Sequence, residues 1–215
     1  MTLSRILLVA SALVVSAFTA QAQTQLSTFT APSDGAFQAG NVIYGLGGAV
    51  TFTTGSSAYT LNSVSIRLVT ANPVDQTYSP KLLTTSGGVP SGPAVFTDFV
   101  LTSSVANVFT FTAQSTYELS PDTTYAFAIR GSNVAEWEQK TLGSYTSTSG
   151  WTAGGFSQSG NDITWSALDT RFSGTFSVDA TASAIPEPST YAAMAGACAL
   201  GLAVWRRSRQ GTAKA

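Results

Sequence analysis

Between residues 40 and 180 apolar and polar residues repeatedly alternate with a period of two, the spacing that turns one face of a strand to a core and the other to water. In residues 62–68, Val64, Ile66 and Leu68 share a face opposite Ser63, Ser65 and Arg67. In residues 123–131, Tyr125, Phe127 and Ile129 oppose Thr124, Ala128 and Arg130, and in residues 171–178, Phe172, Phe176 and Val178 oppose Arg171, Thr175 and Ser177. The same reading predicts strands at 49–54 (Val50, Phe52), 81–85 (Leu82), 96–101 (Phe99), 107–113 (Phe109, Phe111) and 162–168 (Ile163, Trp165). Turn formers separate them: Gly55-Ser56, Asn72-Pro73, Gly87-Gly88-Val89-Pro90, Ser120-Pro121-Asp122 and Ser159-Gly160-Asn161-Asp162. No long stretch carries a helical period, so the pattern predicts an all-β fold, an antiparallel two-sheet sandwich of jelly-roll type.

Two uninterrupted apolar runs, one at each end, depart from this alternation. Arg5 precedes the run Ile6 to Ala20, and Ala20-Gln21-Ala22 supplies the small-x-small pattern of a signal-peptidase site, so residues 1–22 read as a secretory signal peptide. Near the other end, residues 191–205 have no polar face and do not suit a helix packed on a globular core. As a helix that run extends about 22 Å at ~1.5 Å per residue, short of a bilayer core of about 30 Å. Ser189 and Thr190 lengthen it, and Trp205 and the arginines beyond can reach the interface, giving a predicted transmembrane helix over 189–205. Arg206, Arg207 and Arg209 in the basic tail 206–215 hold that end in the cytoplasm and leave the preceding domain outside. Pro186-Glu187-Pro188 stands just outside, where two prolines keep the backbone extended for a partner or protease.

The order of these last features matters more than any one of them. Pro186-Glu187-Pro188-Ser189-Thr190, then the apolar run, then Arg206-Arg207, resembles the PEP-CTERM sorting signal of exported bacterial proteins. The resemblance implies recognition by a membrane-embedded exosortase, removal of the helix and tail near the motif, and delivery to the cell surface or an extracellular polysaccharide matrix of a Gram-negative bacterium. The precursor would then pass transiently through the inner membrane, with signal peptidase and exosortase as processing partners.

Residues 23–185 are left for one exported domain, long enough for a proper core. Charge divides unevenly: Arg5, Arg206, Arg207, Arg209 and Lys214 belong to the ends, whereas the part up to Glu187 sets five cations against all eleven carboxylates, a net charge of −6. Such a surface has no phosphate-neutralising patch for nucleic acid. The one cysteine, Cys198, lies in the C-terminal apolar run, so the domain has no disulfide to rely on. A second resemblance covers roughly residues 40–180, clearest from Phe52 to Ser132. Residues 52–68, 84–95, 109–132 and 171–180 are similar to the choice-of-anchor R domain, a bacterial surface module found with alternative C-terminal anchors. It implies a β-rich module and a location, with no assigned activity.

The chain has no histidine, which removes Ser-His-Asp and Cys-His catalysis and imidazole-ligated metals. Gly45, Gly47 and Gly48 lack the Lys-Ser/Thr of a phosphate-binding loop and read as turn residues. Glu136, Glu138, Asp162 and Asp169 are the carboxylates from which a glycosidase pair would have to come. Asp122, Asn161, Asp162 and Asp169 offer oxygens to Ca²⁺, without ligand spacing. Trp137, Tyr145, Trp151, Phe156 and Trp165 gather among Gly, Ser and Thr, and planar rings suit sugar rings, although strand aromatics more often fill cores. The sequence therefore favours a non-enzymatic surface or matrix protein without a cofactor, with glycan contacts at Trp137, Tyr145, Trp151 and Trp165 as the alternative.

Overall fold

A computed structural model of the chain describes residues 22–29, 47–68, 77–132, 136–141, 143, 145–148, 150–161, 163–183, 196, 198–203 and 205. The signal peptide up to Gln21, Gly45, Asn72-Pro73, Asp162, Pro186, Glu187, Pro188, Arg206, Arg207 and Arg209 lie outside the described residues. The chain divides into two units, Met1–Ser183 and Ala184–Ala215.

The first unit is almost all strand: β1 (Gln23–Ser27), β2 (Gly47–Thr53), β3 (Tyr59–Arg67), β4 (Tyr78–Ser86), β5 (Val89–Phe96), β6 (Phe99–Val105), β7 (Val108–Ala113), β8 (Glu118–Leu119), β9 (Thr124–Gly131), β10 (Gln139–Thr141), β11 (Thr146–Ser147), β12 (Thr152–Ser159), β13 (Phe172–Gly174) and β14 (Phe176–Ala182). Sheet I runs β11-β1-β14-β3-β7-β6 with β8 beside β3, sheet II runs β12-β2-β9-β4-β5, and β10 pairs with β13. Their ladders are antiparallel, and neither sheet closes into a barrel.

The two sheets share one core because their inward positions are aromatic or branched. Val64, Ile66, Phe109, Phe111, Phe176 and Val178 of sheet I meet Val50, Phe52, Leu82, Phe127 and Ile129 of sheet II in one buried cluster. Rings touch across the gap, with centroids 6.0 Å apart for Phe111 and Phe127, 6.4 Å for Phe52 and Phe176, and 5.4 Å for Tyr78 and Phe109. Full burial of one such side chain contributes about 1.5–3 kcal/mol. In β3, Leu61 and Val64 differ in parity yet both are buried. The register against β14 shifts between Asp179 and Ala180, leaving Asn62 as the extra residue that restores the phase.

Several predicted elements change on inspection. Phe96 ends β5 and Phe99 begins β6: the predicted strand over 96–101 breaks at Thr97-Asp98, where the chain passes from sheet II to sheet I. Residues 171–178 divide at Thr175 between β13 and β14, and Thr175, on the predicted solvent face, is fully buried. Among the described residues, 163–168 form no strand beyond an isolated bridge of Trp165 to Ser159; Asn161 Oδ1 accepts the Ile163 and Thr164 amides at 3.0 and 2.8 Å and turns the chain there. Gly47 and Gly48 are not turn residues but open β2, opposite Arg130 and Ile129 on one side and Ser159 and Gln158 on the other. Ala128 is buried although β9 was expected to face water on that side, because it lies in a second apolar patch against which Trp165 and Ala94 pack. β1 and β12 carry no clear alternation and are additions.

Tyr78 and Tyr117 reach into this interior, and burial pushes both hydroxyls up to about 12, with Tyr125 adding to the effect at Tyr117. Among the described residues the Tyr78 hydroxyl oxygen is buried without a hydrogen-bond partner, an arrangement that disfavours the fold. A raised tyrosine value gives stability that is complete below the ordinary value near 10 and lost as pH rises toward 12. Tyr78→Phe should therefore be neutral to stabilising by up to about 1 kcal/mol at neutral pH and should flatten the alkaline loss. Urea midpoints measured at neutral and alkaline pH check both parts.

Candidate functional site

The aromatic residues expected to meet a glycan are mostly structural. Trp137 is fully buried, donates its indole N–H to the Thr175 carbonyl at 3.0 Å and meets Phe156 edge to face with centroids 5.5 Å apart. Gly174 makes room for it: a Cβ there would lie 2.6 Å from Trp137 Nε1 and 2.7 Å from Val50 Cγ1. Trp151 is 1 % exposed, stacks on Phe52 at 5.9 Å and takes the edge of Tyr59 at 5.0 Å. Neither ring has a free face for a sugar, which corrects the expectation for Trp137 and Trp151. Core packing wins because large rings gain more from burial between sheets than small strand residues do. Tyr145 is half-buried and packs against the same core.

Trp165 has a different place. It is half-buried and lies on the outer side of sheet II, against the patch formed by Ala49, Leu83, Ala126 and Ala128. Small side chains on β2 and β9 leave the trough that the indole covers. The segment is fastened by paired backbone bonds between Phe156 and Asp169 (3.1 and 2.8 Å) and by Ser166 N–H to the Gln158 carbonyl at 2.7 Å. Gly155 permits this approach, since a Cβ there would strike the Asp169 carbonyl.

The acidic candidates are engaged separately. Glu138 is buried beside Arg67, with Nη1 to Oε2 at 3.5 Å, and Arg67 also lies over the Phe29 ring at 5.2 Å. Asp169 takes bonds from Arg171 Nε at 3.1 Å and Nη2 at 2.9 Å, which together with the Arg171 amide hold its carboxyl below the usual range. A general acid needs the opposite shift. Glu136 is half-buried, and Asp122 sits in a turn at φ 47°. Among the described residues no group of three or more acidic, cysteine or histidine side chains is placed to hold a metal ion.

A groove that sequence reasoning missed lies where β1 meets β11. Thr24, Ser27, Thr146, Ser147 and Thr148 line an open depression of about 430 Å³. Thr24 Oγ1 donates to Asp179 Oδ1 at 2.6 Å, Thr148 Oγ1 to Gln25 Oε1 at 2.6 Å and Thr146 Oγ1 to the Ser27 carbonyl at 3.3 Å. With their protons directed into the protein, the Thr24 and Thr148 hydroxyls offer lone pairs to a ligand. Only a run of threonine and serine in two distant segments marked it in the sequence.

The last strand ends at Ala182, and the final described bonds of the β unit are Ser183 N–H to the Ala58 carbonyl at 2.9 Å and Ser183 Oγ to Glu118 at 3.5 Å. In the second unit residues 196, 198–203 and 205 are helical, with Leu200, Leu202 and Trp205 exposed at 71, 61 and 52 %. Among the described residues no helix is long and apolar enough to cross a membrane. Residues 184–208 match the PEP-CTERM protein-sorting motif. No curated protein and no solved structure matches the chain.

Proposed function

We propose that this chain is a bacterial exported protein in two functional parts: a β domain that serves a structural or adhesive role at the cell surface or in an exopolysaccharide matrix, and a C-terminal signal that takes it there. The observation that carries this is the match over 184–208, which implies sorting through exosortase and a membrane-anchored precursor. The division of the chain supports it, because the β unit ends at Ser183, one residue before the matched segment begins. Removing the tail therefore takes no strand from either sheet. The exposed apolar side chains of Leu200, Leu202 and Trp205 fit a helix that works in lipid before it is removed.

The finer parts belong to the same proposal. Residues 1–22 act as the signal peptide, Pro186, Glu187 and Pro188 are the residues exosortase reads, and Arg206, Arg207 and Arg209 fix the tail inside. The β domain is a choice-of-anchor R-like module of jelly-roll form. The strand order supports the latter: with the short and inserted strands set aside, sheet I reads β1-β14-β3-β7 and sheet II reads β2-β9-β4-β5. A Gram-negative source and location follow from the sorting resemblance.

A second reading, carbohydrate binding, rests on the hydroxyl groove rather than on buried tryptophans. An acceptor-lined depression suits a ligand rich in O–H donors, and its volume falls within the range of small-ligand sites. A neutral polysaccharide should bind the protein saturably, and Thr24→Val with Thr148→Val should weaken it about tenfold, a loss of ~1.4 kcal/mol, in a calorimetric titration. Equal affinity in wild type and variant would rule the groove out.

Sorting is tested in a host that carries an exosortase. The full chain should accumulate as a membrane-bound precursor when the exosortase gene is deleted, and Glu187→Ala should do the same in the intact host. A variant lacking residues 186–215 should leave the membrane with its cooperative unfolding unchanged. Identical precursor mass and location with and without exosortase would contradict the proposal.

A further inference from the structure

The hydroxyl groove does not stop at β1. In sheet I the core-facing residues Val64, Ile66, Phe109, Phe111, Phe176 and Val178 alternate with outward ones, and outward side chains align across strands wherever the registers match. From β11 to β6, Thr146 stands opposite Ser27, Ser27 opposite Ser177, Ser177 opposite Ser65, Ser65 opposite Thr110 and Thr110 opposite Ser103. Each of the six strands on this path thus gives one residue to a single row, and every one of these residues carries a hydroxyl. Thr146 and Ser27 are also walls of the groove. A shorter row beside it starts at another groove residue: Thr24 stands opposite Asp179, Asp179 opposite Ser63 and Ser63 opposite Thr112.

The two rows use their hydrogen bonds differently. In the shorter row they are turned inward, since Asp179 accepts Thr24 Oγ1 at 2.6 Å and Ser63 Oγ at 3.0 Å, and Thr112 Oγ1 shares a bond of 2.8 Å with Thr102 Oγ1. In the long row Ser65 and Thr110 share one bond of 2.9 Å, which leaves that pair a further proton and three lone pairs. Ser177, between Ser27 and Ser65, is 9 % exposed, and among the described residues its hydroxyl has no partner in the protein. A hydroxyl so enclosed loses free energy unless something bonds to it.

We infer that this row is the floor of an extended glycan site, in which a neutral polysaccharide enters the groove and continues across sheet I as several linked sugar units. The inference rests on the carbohydrate reading of the groove and adds the length, direction and charge of the ligand. Row hydroxyls both donate and accept, as sugar hydroxyls do. Five strand spacings of about 4.8 Å make the row about 24 Å long, more than one or two sugar rings cover. Neighbouring strands are rotated by roughly 20°, so the row turns by about 100° from end to end. A single solvated chain can follow that turn, and the flat face of a crystalline polysaccharide cannot. No charged residue stands in the row, and five cations against eleven carboxylates in the part up to Glu187 repel an anionic polymer.

The test uses the full chain in a zwitterionic detergent that has no sugar headgroup. The probe is the neutral exopolysaccharide of the producing cells, partly hydrolysed and separated into pools from disaccharide to decasaccharide, in calorimetric titrations. Affinity should rise about tenfold from disaccharide to hexasaccharide and then level off. Ser65→Ala with Thr110→Val should remove that gain for the hexasaccharide and leave the disaccharide unchanged, because neither residue lines the groove. Equal affinity for short and long pools, or a long-pool affinity untouched in the variant, would overturn the row and leave the groove reading standing. No binding by any pool would overturn both. The length series is read on the native chain, so it decides the matter even if the variant fails to fold.

Discussion

Packing between two sheets is the interaction on which this domain depends. Its one cysteine is in the tail unit and it has no histidine, so no disulfide or imidazole-bound metal can staple the strands. Stability has to come from buried rings, and the sheets are filled accordingly: Phe52, Phe109, Phe111, Phe127 and Phe176 lie in one cluster with Trp137 and Trp151. Once those tryptophans are committed to the core they cannot also form a platform for a sugar. The same demand explains Gly174, which admits the Trp137 indole, and Trp165, which packs on the outer apolar patch of sheet II.

This division of labour separates where the protein goes from what its domain does. The matched sorting motif lies in residues 184–208, beyond the last strand. The domain contributes a stable acidic surface and a hydroxyl groove on sheet I.

The parts legible in the sequence were those in which a single physical signal decided the outcome. Alternation placed β3, β7 and β9, since each has apolar side chains on its inner face and polar or small ones opposite, and Gly87-Gly88 marked the hairpin between β4 and β5, where both adopt positive φ. The ordered tail features identified the sorting signal on the residues that the family comparison matches. Where two signals competed, local reading failed. Gly154-Gly155 gives β12 no alternation to read, but a bulge and the close passage of Asp169 require glycine inside that strand. Ile163 and Trp165 alternate like a strand, but Asn161 captures the backbone amides and Trp165 docks on a neighbouring sheet. A cluster of aromatic residues has the same composition whether it faces inward or outward, so only tertiary placement could assign Trp137 and Trp151 to the core. The groove joins residues 24–27 to residues 146–148, a pairing that no local pattern announces.

The central claim is that a self-sufficient β domain ends at Ser183 and a separable sorting signal begins there. Mass spectrometry of the C-terminal peptide of the mature exported protein tests it most directly. The account predicts a mature C-terminus after Ser183 and before Tyr191, leaving β14 intact and the apolar run absent. A mature protein that retains residues 191–215, or that ends within β14, would contradict it.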